Sequence, residues 1–217
     1  MAQSTRFSQL EARLNELKNH LLPDVFSETG DYSLAVLDMA KGYRLLSHAE
    51  FESYIEDIAK EIVIEAIRKW KDARKPSVTI VSFLAAYHSS WSTNDEQQNT
   101  EIIELSRGRL RPKESLLEAI NIAYNQFLKK IGSNNGIKST NFKTLILPTG
   151  IDIDQLDSEL LIKLDNYGSK RGEIAHNSSL RVTHQLNPQD ELAEVTYLLE
   201  CLKKLDEKLS ELKSSIL

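Results

Sequence analysis

The sequence predicts an all-α protein. Two observations carry that prediction. Chain breakers are sparse, with 8 Gly and 5 Pro in 217 residues, while Leu, Glu, Lys and Ala are abundant. Apolar residues also return at steps of three and four along most of the chain, the period of a helix with one buried face. No internal repeat, low-complexity tract or internal boundary interrupts the pattern, so 1–217 reads as a single domain.

The elements follow in order. Phe7, Leu10, Leu14, Leu17 and Leu21 form the stripe of an amphipathic first helix, stopped by Pro23. Gly30-Asp31 is a turn. Leu34 and Leu37 suggest a short lead-in helix, with Lys41-Gly42 as its break. A long helix follows from Tyr43 through Leu46, Phe51, Tyr54, Ile58, Ile62 and Ala66 to Trp70, ended by Lys75-Pro76. Ser77 is an N-cap for a third helix, whose face is read as Val78, Val81, Leu84, Ala85 and His88, running to about Trp91. Residues 92–99 are polar and loop-like. Arg107, Arg109, Arg111 and Lys113 crowd a Gly- and Pro-containing segment; it either holds a phosphate backbone or is simply solvated. Glu114 to Ile131 is helical, and 132–136 is a loop. The run from Asn141 to Leu147 fits a strand or a short helix, and its helical neighbours favour the helix. A helix is then expected from Ile153 or Asp154, with Leu156, Leu160, Leu164 and Tyr167 as its stripe. Asn187-Pro188 supplies an N-cap and a first-turn proline for the last helix, which carries Leu192 through Leu212.

Composition removes several classes. The net charge of −5 argues against an extended nonspecific nucleic-acid surface, although a local basic site remains compatible with it. The single cysteine, Cys201, cannot form an internal disulfide and reads as a small buried residue in a reducing compartment. No signal-like segment or membrane-length apolar run is present, so a cytoplasmic protein without a membrane partner is expected. A Gly-rich phosphate loop, a Walker lysine, a Gly-x-Ser-x-Gly elbow and zinc-spaced His/Cys are all missing from the sequence. No cofactor and no metal are expected.

What remains is Arg171-Gly-Glu-Ile-Ala-His176, late in a helical pattern. Arginine brings a fixed charge and a planar fork of donors suited to phosphate oxygens. Histidine exchanges protons near neutral pH. Five residues turn a helix by about 500°, or roughly 140° past a full turn. Arg171 therefore shares a line with Leu164 and Tyr167, and His176 with Asp165, Ser169 and Gly172. To meet, the arginine must reach round, the helix must end or distort at His176, or a second copy of the chain must share the site. Gly168 and Gly172 leave room for a close helix approach.

Arg, four residues, then His resembles the signature of the HEPN superfamily (higher eukaryotes and prokaryotes nucleotide-binding), and the wording around it resembles the RiboL-PSP branch. The segment from Tyr43 to Tyr54, with Ala49, Glu50, Glu52 and Tyr54, resembles the preceding HEPN helix. The likeness spans roughly Leu34 to Leu212. It implies an antiparallel helical bundle with additional helices, a core in 31–217 and the amphipathic helix of 1–30 added to it. It further implies a homodimer whose motif helices line one cleft, and an RNA substrate cut without metal by attack of the ribose 2′-hydroxyl. Arg171 would stabilise the phosphorane and His176 would move a proton. Asn177 would support them. Glu50 and Glu52 would orient or balance the site, or belong to a solvated acidic face; His48 is not assigned a catalytic part. Arg107, Arg109, Arg111 and Lys113 would contact RNA. Toxin–antitoxin control, phage defence or RNA processing is the implied setting, with a cognate antitoxin or defence partner. One departure stands out: many active members carry a polar residue directly after the Arg, where this chain has Gly172. A catalytically weak binding or scaffold module is the alternative.

Overall fold

In a computed structural model, the structure describes residues 3–88, 112–152, 154, 156, 159–176 and 186–216. Among these residues there are seven α-helices, one 3₁₀ turn and no strand. The helices are α1 (Thr5–Leu21), α2 (Leu34–Ala73), α3 (Val78–His88), α4 (Pro112–Gly132), α5 (Ser139–Ile146), α6 (Leu160–His176) and α7 (Pro188–Ile216), with the 3₁₀ turn at Leu147–Thr149.

The fold is built around α2, which touches every other helix. Its 40 residues make a rod of about 60 Å. Buried Ala40, Tyr43, Phe51, Tyr54, Ile58, Ile62 and Trp70 run along it at helical spacing. The expected break at Lys41-Gly42 does not occur. A glycine costs a helix only about 1 kcal/mol, and Leu37 and Ala40 before it and Tyr43 after it are all buried. Their burial outweighs the local penalty. The rod ends where Arg74 turns into the left-handed region, φ 57°, its N–H bonded to the Trp70 carbonyl.

Helix α1 lays Phe7, Leu10, Leu14 and Leu17 into the core. Its start is fastened by Asp206 of α7. The Asp206 carboxylate accepts from the Ser4 N–H at 2.8 Å, the Ser4 hydroxyl at 2.5 Å and the Tyr54 hydroxyl at 2.9 Å. Ser4 Oγ in turn accepts from Phe7 N–H. One buried carboxylate thus joins α1, α2 and α7.

Two caps read from sequence are present. Ser77 Oγ accepts from Ile80 N–H, and Asn187 Oδ1 from Gln189 N–H. The run around Asn141–Leu147 is helical, as α5. Two further readings need correction. The buried face of α3 is Ile80, Phe83 and Tyr87, while Val78 and Val81 are exposed. The helix is apolar nearly all round, so periodicity could not choose; the aromatic contacts of Phe83 and Tyr87 with Phe127 do. Trp91, its expected end, lies outside the described residues. The helix carrying Arg171 starts at Leu160, later than Asp154. Asp152 turns the chain first, its carboxylate accepting from Asp154 N–H at 3.0 Å; Ile153 lies outside the described residues.

Candidate active site

Helix α6 is seated by a buried ion cluster. Arg44 of α2 is fully buried. Its Nε donates to Glu191 Oε2 at 2.5 Å and its Nη2 to Glu191 Oε1 at 2.9 Å, a two-pronged bond to α7. Nη2 also pairs with Glu194. Nη1 donates to the Tyr167 carbonyl at 3.3 Å, and the guanidinium lies 4.2 Å over the Tyr167 ring. Lys170 completes the cluster through Glu194 at 2.8 Å. Burial lowers the Arg44 pKa, but the hydrogen bond and charge of Glu191 outweigh it and leave Arg44 raised. It stays charged. One residue of α2 therefore fixes α6 one turn before Arg171.

On another side of α6 a polar cleft of about 260 Å³ opens. Arg171, Gly168 and Gly172 form the α6 wall. Asn135, Gly136 and Lys138 come from the loop after α4, Asn141 from α5 and His48 from α2. The loop is held from below. Asn134 donates to Glu56 at 2.7 Å and Glu52 at 3.3 Å, and Asn141 donates to Asn134 Oδ1 at 2.8 Å. Asp165 of α6 accepts from Ser139 N–H at 2.7 Å, tying α6 to the start of α5. The loop then passes so close to α6 that a Cβ on Gly168 would sit 2.9 Å from Lys138 Cγ. Gly168 is a close-approach glycine, though the element approaching is the Lys138 loop. A Cβ on Gly172 would meet nothing within 4 Å among the described residues.

Arg171 is half-buried. Its field reaches two neighbours on α2. His48 has its pKa pushed down to about 4, by burial first and then by Arg171 and Arg44. Glu52 is raised by burial and by Glu56, against the pull of Arg171 and the Gly136 N–H. The imidazole is neutral at pH 7.

The residues expected in the site separate. Arg171 lines the cleft, and Glu52 lies against its floor, 3.7 Å from His48 Nδ1. Glu50 does not belong there: it points to α1, where it pairs with Arg13 at 3.4 Å. Two residues on a helix differ by about 200°, so Glu50 and Glu52 cannot share a face. His176 is the last residue of α6; its side chain, like that of Lys113 in α4, is not described. Asn177, Arg107, Arg109 and Arg111 lie outside the described residues. Sequence reasoning passed over His48, Lys138, Asn135 and Asn141. For His48 a signal existed. Arg44, His48, Glu52 and Glu56 recur every four residues, a polar line beside an apolar face.

The chain matches the RiboL-PSP-HEPN family over residues 8–211, a span that begins within α1 and ends within α7. No curated protein and no solved structure matches it. Among the described residues no helix is long and apolar enough to cross a membrane. The match extends over nearly all of the helical frame that carries Arg171, and its family has nuclease-like or RNA-related roles. The chain belongs to the RiboL-PSP-HEPN family.

Proposed function

We propose that this protein is a metal-independent endoribonuclease that acts as a cytoplasmic homodimer in toxin–antitoxin control, phage defence or RNA processing. The observation that carries the reading is Arg171 on the wall of a polar cleft, on a helix whose position a buried ion cluster dictates. The ribose 2′-hydroxyl oxygen attacks the adjacent phosphorus and gives up its proton. The P–O5′ bond breaks, and the 5′ oxygen takes a proton as it leaves. The products are a 2′,3′-cyclic phosphate and a 5′-hydroxyl. Arg171 stabilises the charge that builds on the phosphorane oxygens, aided by Lys138 across the cleft. His176 moves a proton at the same phosphate. Asn177 is proposed to support the catalytic pair, the basic segment with Arg107, Arg109, Arg111 and Lys113 to hold the RNA, and a cognate antitoxin or defence protein to restrain the enzyme.

Purified protein incubated with mixed single-stranded RNA in excess EDTA is expected to yield cyclic phosphate ends. Cleavage that requires a divalent metal, or that continues undiminished in His176→Ala, rejects this function. The second reading, a scaffold module without useful catalysis, is favoured by Gly172 directly after Arg171. Its signature is an absence of cleavage together with stable binding to a partner protein.

A further inference from the structure

His48 sits on the floor of the Arg171 cleft with its ring orientation fixed on several sides. It is 1% exposed, so only a group seated in the cleft meets it. The ring lies parallel to Tyr167 of α6, centroids 6.3 Å apart and planes 7° apart. Its Nδ1 has no hydrogen-bond partner and stands 3.7 Å from Glu52 Oε2, one helical turn along α2. Its other edge, Cε1 and Nε2, faces Gly136, lying 4.0 Å from where a Cβ on that residue would be. A glycine at that position leaves the edge open to the cleft. Carboxylate, imidazole and open ring edge are thus arranged in order, the same logic by which an acidic group orients a histidine base. At 3.7 Å the pair is not yet hydrogen-bonded; bonds between catalytic groups are often long before substrate binds and tighten in the complex.

We propose that His48, oriented by Glu52, is the general base of the Arg171 cleft and removes the 2′-hydroxyl proton, leaving His176 as the acid for the 5′ oxygen. The proposal rests on the RNA-cleaving reading. Glu52 holds the proton on Nδ1, and Nε2 presents its lone pair to the 2′-hydroxyl. The proton passes to Nε2 as the O2′–P bond forms; the acid protonates the departing 5′ oxygen as P–O5′ breaks. The charged groups around His48 suit this. Arg44 and Glu52 lie on its own helix, Arg171 on α6 and Lys138 on the loop, with Glu191 and Glu194 of α7 behind Arg44. In the free protein burial first, and then the guanidinium groups of Arg171 and Arg44, keep the imidazole unprotonated. An RNA phosphate against Arg171 offsets that charge and makes the base stronger at the moment it is used. The arrangement also answers the geometry of the motif. Arg171 and His176 point about 140° apart on a straight helix, while Arg171 and His48 line one cleft in one chain.

The test uses the full chain, EDTA and two substrates: an RNA oligonucleotide, and the same oligonucleotide with sulfur in place of one bridging 5′ oxygen. A thiolate leaves without an acid. His48→Gln is expected to lose about 10²–10⁴-fold in kcat on ordinary RNA with KM little changed, and to stay equally slow on the sulfur substrate. His176→Ala is expected to be rescued by sulfur. Glu52→Gln, read for the case that His48→Gln does not fold, is expected to lower kcat and move the acid limb of the pH profile to lower pH. The proposal is overturned if His48→Gln folds and cleaves normally, if sulfur rescues it, or if Glu52→Gln leaves rate and pH profile unchanged. If the wild type cleaves and only Arg171→Ala and His176→Ala fail, the ribonuclease reading survives without this base. If the wild type cleaves nothing, both fall together.

Discussion

Helix α6 packs against one arginine and carries another, and the two are used in opposite ways. Arg44 is sealed between α2, α6 and α7, and each of its nitrogens donates a bond to a carboxylate or the Tyr167 carbonyl. Arg171 faces a cleft large enough for a phosphate group and open to exchange. A guanidinium sealed in the core among protein acceptors cannot receive a ligand; its field and geometry are spent on holding the helix. Burial also raises the pKa of Glu191 even against the pull of Arg44. The desolvation of this pair consumes much of what their attraction returns. The cluster is better understood as fixing the register of α6 than as a large source of net stability.

Variants can break that contrast. The largest effect belongs to the open side. His176→Ala is expected to lose about 10²–10⁴-fold in RNA cleavage and Arg171→Ala about 10²–10³-fold, with thermal denaturation nearly unchanged. Arg171→Lys should rescue poorly for want of the planar fork. The closed side should behave the other way. Arg44→Met strands Glu191 as an unpaired buried carboxylate and is expected to cost about 3–5 kcal/mol in chemical denaturation. Its activity should fall only as the folded fraction and the seating of α6 fall. A stable Arg44→Met, or an unfolded Arg171→Ala, would erase the distinction.

Acid sharpens it next. The folded-state pKa of His48, about 4, lies below its ordinary 6.5, so between those values the unfolded chain binds a proton that the folded chain does not. Stability is therefore lost as pH falls through that window, by up to about 3 kcal/mol from this group. Denaturation of wild type and His48→Gln at pH 7 and pH 4 isolates the term; the difference between the proteins should shrink or reverse in acid. The smallest effect is at the glycines. Gly172→Ala should add up to about 1 kcal/mol through helix propensity alone, since the new methyl meets no described atom within 4 Å. Gly168→Ala should add less, because Lys138 must shift. If Gly172 lies at a two-fold axis, the same Gly172→Ala that raises the melting temperature should weaken the dimer in sedimentation.

The sequence made local features legible and non-local ones opaque, for reasons visible in particular residues. Stripes such as Leu160, Leu164 and Tyr167, and caps such as Ser77 and Asn187, are decided within a turn or two of chain. Arg44 and Glu191 are 147 residues apart, and neither sequence neighbourhood hints at the other. Glu50 and Glu52 look equivalent until α1 docks and claims one of them. Gly42 looks like a break until the buried side chains on both sides of it are counted against its cost. Arg171 was legible because its motif is compact. The rest of its cleft comes from α2, α5 and the loop after α4, which only folding brings together.

The fasteners of this bundle also carry a timing. Ser4 waits for Asp206, 202 residues later, and Arg44 waits for Glu191. A ribosome delivers α7 after α1, α2 and α6. Until then α1 holds to α2 through the Arg6–Asp57 pair but lacks the Asp206 carboxylate at its cap, and Arg44 lacks the Glu191 and Glu194 carboxylates that accompany its burial beneath α6. A nascent chain can pack Tyr167 of α6 on Phe51 of α2, but the ion cluster that seats α6 is completed only once α7 has emerged. Long-range closure of this kind slows folding. If the chain cuts RNA as proposed, the same order leaves the seat of the Arg171 helix unfinished while α7 is still being made.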